Sequence, residues 1–81
     1  MELKWSRRAL ADLERIANHI AAENPHAATA LLQEFRASTG HLREHPYLGR
    51  ASGPDHRELV LHRRYPPTYR IRPGRVEILQ V

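Results

Sequence analysis

Trp5-Ser6-Arg7-Arg8-Ala9-Leu10-Ala11-Asp12-Leu13-Glu14-Arg15-Ile16-Ala17-Asn18-His19-Ile20 reads as a strand end, a helix cap and a one-sided helix in succession. Ala9, Leu10, Leu13, Ile16, Ala17 and Ile20 recur at spacings of three and four, which gathers them into one stripe along an α-helix. Ser6 is a favoured N-cap, since its hydroxyl can accept from a first-turn backbone N–H that has no helical partner. Trp5 and Leu10 are spaced to close a hydrophobic staple across the start of the helix. Arg7, Arg8, Asp12, Glu14, Arg15, Asn18 and His19 are polar and predict a wet opposite face.

Upstream, Glu2-Leu3-Lys4-Trp5 alternates with period two and predicts a short first strand. Downstream, helix one runs to about Ala22. Asn24-Pro25 restarts the pattern, because Asn caps well and proline at the first helical position forfeits no hydrogen bond. Helix two is expected from Pro25 to about His45, with Ala28, Leu31, Leu32, Phe35 and Leu42 as its apolar stripe. Gly40 weakens it by about 1 kcal/mol relative to Ala, and Pro46 closes it. So short a connection predicts an antiparallel helical hairpin.

Pro46 to Asp55 is rich in proline and glycine and reads as a loop. His56 to His62 reads as a strand, with Leu59 and Leu61 on one face and Glu58 and Val60 on the other. Arg63 to Pro67 interrupts, and consecutive prolines delay pairing until Thr68. Thr68 to Arg72 is a strand with Tyr69 and Ile71 opposite Arg70 and Arg72. Pro73-Gly74 is a turn, and Val76 to Val81 is the last strand. Its apolar residues fall on both faces, Val76 and Ile78 against Leu79 and Val81. The expected fold is α+β, ordered β-α-α-β-β-β, with the helical hairpin packed on one face of a small, mainly antiparallel sheet. Residues 1–81 form one domain on this reading.

Eighty-one residues without cysteine exclude disulfides and thiolate metal sites. The apolar runs are too short to span a membrane, and no signal-peptide core opens the chain. A cytoplasmic protein without a membrane partner is expected. Charge is uneven. Lys4, Arg7, Arg8, Arg15 and Arg36 are balanced by Glu2, Asp12, Glu14, Glu23 and Glu34. The formal +4 therefore falls in the second half, whose cations are all arginine. Arginine pairs with carboxylate and phosphate through two parallel hydrogen bonds, so this half points to nucleic acid or an acidic protein segment. A solvated basic face is the plainer alternative.

Trp5-Ser6 with Ala9, Asp12-Leu13, Ile16 and Ile20, then Pro46-x-x-Gly49-Arg50, Arg57-Glu58-Leu59, Tyr69-Arg70 and Val76-Glu77-Ile78-Leu79 follow one another in an order that resembles the RelE/ParE superfamily of small bacterial toxins. The likeness covers nearly the whole chain and is closest to the ParE branch. It implies a toxin of a type II toxin–antitoxin pair, neutralised by a cognate antitoxin. ParE-like members act on DNA gyrase. RelE-like members cut messenger RNA on the ribosome, using basic and aromatic side chains on the sheet and near the C-terminus. Family members usually carry a further stretch after the last strand, so ending at Val81 suggests a short or truncated member.

Arg50, Arg57, Arg63, Arg64, Tyr65, Arg70 and Arg72 are the candidate partner-binding residues. Metal-free RNA cleavage requires a base, cations for the developing phosphorane charge and an acid for the leaving oxygen. Arg57, Arg63, Arg64 and Arg70 qualify as cations and Glu58 or a histidine as base. The family's terminal group has no equivalent here, so no residue is assigned as catalytic. Tyr65 is the exposed aromatic candidate for base stacking, whereas Trp5 and Tyr69 belong to the core. His41 and His45 are spaced to share a metal but are better read as partners of helix-end carbonyls. His56 and His62 are too far apart along a strand for one site. No metal and no cofactor are expected.

Overall fold

The structure, a computed structural model, describes residues 1–60 and 64–81. Its elements are β1 (Glu2–Trp5), α1 (Arg7–Ala21), α2 (Pro25–Gly40), β2 (Arg50–Ala51), β3 (Arg57–Glu58), β4 (Thr68–Arg72) and β5 (Arg75–Gln80). The strands form one sheet in the order β1-β5-β4-β3-β2, with β1 parallel to β5 and every other pair antiparallel. Two helices therefore pack on a five-stranded mixed sheet in an α+β fold. Among the described residues no helix is long and apolar enough to cross a membrane.

Both helix starts follow their local signals. The Ser6 hydroxyl accepts from Ala9 N–H at 3.0 Å and the Asn24 side chain from Ala27 N–H at 3.1 Å. Helix two departs from expectation at its far end. α2 stops at Gly40, and a single 3-10 turn, His41–Arg43, carries the chain toward Pro46. The tighter turn draws Leu42 fully into the core, and the terminal ammonium of Met1 donates to its Arg43 carbonyl at 2.9 Å. His41 and His45 thus lie outside α2, joined by a backbone hydrogen bond from His45 N–H to His41 C=O.

The second half holds one strand more than its sequence suggests. Arg50–Ala51, inside the expected loop, pairs with Arg57–Glu58. The strand expected over His56–His62 is two residues long as described, and Leu61, His62 and Arg63 lie outside the described residues. Pairing also reaches one residue ahead of Thr68, since the Pro67 carbonyl accepts from Leu59 N–H at 2.9 Å. A proline lacks only the donor, so its acceptor remains usable. Gly74, at φ +77°, supplies the left-handed residue that the turn after Pro73 demands.

Two apolar clusters fill the space between helices and sheet. Ala9, Leu42, Leu59, Tyr69, Val76 and Ile78 form one, and Ile16, Leu31 and Phe35 the other, with half-buried Trp5 packed against both. The stripes read from sequence are broader than this core. Leu10 and Leu32 are 53% and 40% exposed. Asp12, expected on the wet face, is instead buried.

The end of β5 also departs from simple alternation. Tyr69 is paired with Ile78 and Thr68 with Gln80, which leaves Leu79 as an unpaired extra residue. A bulge of this kind shifts the alternation by one. Val81 is thereby turned onto the helix side, where it packs against the Ile16–Leu31–Phe35 cluster instead of sharing a face with Leu79. Asp12 secures that turn: its carboxylate accepts from Val81 N–H at 3.1 Å and meets Arg15 at 3.2 Å.

Candidate partner-binding site

Strand register sorts the arginines onto two faces. Tyr69, Val76 and Ile78 point into the helix-covered core, so their neighbours along the strands face away from it. Arg70 and Arg72 of β4 and Arg75 of β5 therefore lie on the uncovered face, and pairing through Thr68 and Glu58 brings Arg50 there as well. Arg57 does not join them. It is paired with Tyr69 and belongs to the opposite face.

The arginines on the uncovered face already have acidic partners. Arg70 Nε lies 2.6 Å from a Glu77 oxygen, and Arg75 Nε lies 3.0 Å from the other. Arg72 clasps Asp55 with both terminal nitrogens, at 3.1 and 2.8 Å. Arg50 meets Glu58 at 2.8 Å. The hydrogen bond from Arg70, together with the positive charge of Arg75, holds the Glu77 carboxyl below the usual range. The Arg72 clasp does the same to Asp55 and raises Arg72 in return. Asp55 has φ +67°, a left-handed conformation that Asp tolerates better than most residues. Four arginines on the face thus share three carboxylates, with Lys4 and Leu79 flanking the Arg70–Glu77 pair in one shallow hollow.

Arg57 serves the loop before β2. Its guanidinium donates to the carbonyls of Gly49 and Tyr47 and lies 5.2 Å from the Tyr47 ring centre. The buried hydroxyl of Tyr69 works from the other side. It donates to Pro46 C=O at 2.7 Å and accepts from Gly49 N–H at 2.8 Å. A Cβ at Gly49 would fall 2.7 Å from both Glu58 O and the Tyr69 hydroxyl, so only glycine fits. Pro46-x-x-Gly49 is thus the docking point of the sheet's central tyrosine. The loop held in this way leaves Tyr47 and Leu48 70% and 58% exposed.

Residues 3–81 match the model of the family described as ParE toxin of type II toxin-antitoxin system, parDE. The chain belongs to the ParE toxin family. A curated relative, Toxin RelE2 of Caulobacter vibrioides, is 32% identical over 80 residues, covering 99% of this chain and 91% of that protein. A solved structure described as a chromosomal ParDE TA system from P. aeruginosa superposes with a TM-score of 0.86 at 29% identity, covering 99% of this chain and 91% of that one. This ParE-family chain is accordingly a toxin of a toxin–antitoxin system, and the family implies an antitoxin partner.

Of the seven candidates read from sequence, the fold gathers Arg50, Arg70 and Arg72 on one face of the toxin and directs Arg57 to the other. Arg64 is exposed, and Arg63 lies outside the described residues. Tyr65 is half-buried against the Ile16–Leu31–Phe35 cluster, not displayed for base stacking. Glu58, a candidate base, is occupied by Arg50. Among the described residues no three His, Cys, Asp or Glu side chains converge as a metal site would require. Three residues that organise the toxin were not singled out as such: Asp12, Asp55 and Gly49. Asp12 and Gly49 carried a signal, since both stand within the resemblance. Asp55 carried none, since its partner Arg72 is distant in sequence.

Proposed function

We propose that this toxin acts by binding DNA gyrase and that a cognate antitoxin relieves the inhibition by binding the toxin. The observation carrying this reading is the ParE family match over residues 3–81, joined to a sheet face of paired charges. Catalysis on RNA asks for cations converging on one phosphate beside a free base. Here Arg57 and Arg70 emerge on opposite faces, and the Glu58 carboxylate is engaged by Arg50. A surface of fixed, alternating charge suits recognition of a folded protein, where complementarity governs specificity and encounter rate. Purified toxin should inhibit gyrase supercoiling without ribosomes, and its antitoxin should restore the activity. Unimpaired supercoiling at excess toxin would remove the gyrase reading.

One observation favours a second reading: the Caulobacter relative bears the name RelE2. On that reading the toxin cuts messenger RNA on the ribosome. Codon-phased cleavage of translated mRNA, abolished by Arg64→Ala or Arg70→Ala, would support it. Intact growth on induction, with antitoxin binding retained, would instead mark a binding module without toxic activity.

A further inference from the structure

Pro46 to Gly49 lie outside every helix and strand, yet their backbone is tightly held. Pro46 C=O and Gly49 N–H meet the Tyr69 hydroxyl, and the Tyr47 and Gly49 carbonyls accept from the Arg57 guanidinium. Leu48 N–H donates to His45 C=O at 3.1 Å. What this fixed backbone carries outward is apolar. Tyr47 and Leu48 are exposed, and Val60, which lines one hollow with Leu48, is 64% exposed. Single exposed apolar side chains are ordinary on a protein surface, but a cluster of them on an immobilised loop marks a contact site.

The hollow shared by Leu48 and Val60 measures about 400 Å³, and Tyr47 lines a second of about 310 Å³ with His56 and Arg57. Arg57 brings an unmatched charge to the loop. Its guanidinium is held by neutral carbonyls and the Tyr47 ring, and among the described residues it makes no ion pair. Asp55, on the wall of the same hollow, is already clasped by Arg72. The surface complementary to this loop is an apolar pocket with a carboxylate at its rim. A folded protein supplies such a pocket. Because the loop is ordered before contact, association deducts no cost for ordering it.

We propose that Tyr47 and Leu48 are the side chains through which this toxin grips gyrase, seated in an apolar pocket of the enzyme whose bordering carboxylate faces Arg57. The proposal rests on the gyrase reading above and names its contact. It also divides the work between two surfaces. The paired charges of the sheet face govern orientation and encounter, whereas the aromatic anchor on the loop, once buried, carries most of the affinity.

The test titrates full-length toxin and its variants into a gyrase supercoiling assay and measures their affinity for gyrase directly. Tyr47→Ala should raise the concentration needed for half-inhibition roughly tenfold or more, and Leu48→Ala roughly fivefold. Tyr47→Phe keeps the ring and should retain most of the inhibition. Affinity for gyrase should fall as ionic strength rises, and affinity for the cognate antitoxin should be the same in every variant. Both positions are exposed, and circular dichroism with a melting curve checks that the variants remain folded.

Wild-type potency in both alanine variants, or a gyrase affinity indifferent to ionic strength, would overturn the proposal. Lost antitoxin binding with gyrase inhibition intact would overturn it too, by assigning the loop to the antitoxin. Concentration-dependent dimerisation abolished by Leu48→Ala would do the same, by assigning the loop to a second copy of this chain. The failures are distinguishable. A wild-type toxin that leaves supercoiling untouched removes the gyrase reading and the proposal together, whereas inhibition that survives both alanine variants removes the proposal alone.

Discussion

The Tyr69 hydroxyl accepts a hydrogen bond from Gly49 N–H at 2.8 Å, across twenty residues of sequence. Through that contact and its donation to Pro46 C=O, one buried oxygen ties the loop before β2 to the middle of the sheet. The hydroxyl is satisfied in both directions, as a buried polar group must be to avoid a desolvation penalty. The loop's exposed Tyr47 and Leu48 are therefore displayed from a fixed backbone.

Tyr69→Phe should destabilise the protein by about 1–3 kcal/mol, because it strands a buried N–H and carbonyl while leaving the ring in place. Gly49→Ala should cost about 1–3 kcal/mol through its clash with Glu58 O and the tyrosine oxygen. Denaturant midpoints test both. Because the two changes strike one contact, the double variant should lose less than the sum.

Asp12→Ala should release the end of β5 and cost about 1–3 kcal/mol, since Val81 N–H loses its acceptor inside a partly buried setting. Asp12→Asn keeps an acceptor oxygen and should lose less. Amide exchange at Val81 reads the effect locally: it should accelerate strongly in the alanine variant. Unchanged exchange would mean that the carboxylate does not anchor the strand end.

Gly40→Ala should stabilise by about 0.5–1 kcal/mol. Gly40 has ordinary helical angles, φ −59° and ψ −32°, and an added Cβ meets nothing within 4 Å. A raised melting temperature is the expected result, and a lowered one would show that the switch from α2 to the 3-10 turn depends on glycine.

Asp55 and Glu77 should titrate below their usual 3.8 and 4.5. Their folded-state pKa values are lowered, so the stabilisation is complete above the ordinary carboxylate range and disappears as pH falls through the lowered values. Carbon-13 NMR of the carboxyl groups measures both midpoints. Arg72→Ala should return Asp55 toward 3.8, and high salt should shrink the shift of this exposed pair.

Local pattern dictated much of the architecture. Ser6 and Asn24 start helices because a cap needs only a side-chain oxygen within reach of the next turn. The alternation of Thr68–Arg72 assigned Tyr69 to the core and Arg70 to the other face, since a strand's side chains have no third option. The resemblance identified the family for the same reason: its motifs are read in order along one chain.

Other features depend on partners that sequence distance conceals. Arg50–Ala51 becomes a strand because Arg57–Glu58 pairs with it. Val81 faces the helices because a bulge at Leu79 reverses its side. Asp12 is buried because the chain end brings it a donor, and the face arginines are neutralised because folding brings Glu77, Asp55 and Glu58 to them. Composition counted those arginines as available charge. Pairing across strands spends it on the sheet itself, while Arg36 of α2 and Arg43 of the 3-10 turn, which make no ion pair among the described residues, keep theirs for solvent. Helix and strand periodicity are properties of neighbouring residues. Which charge remains unmet is a property of the assembled surface.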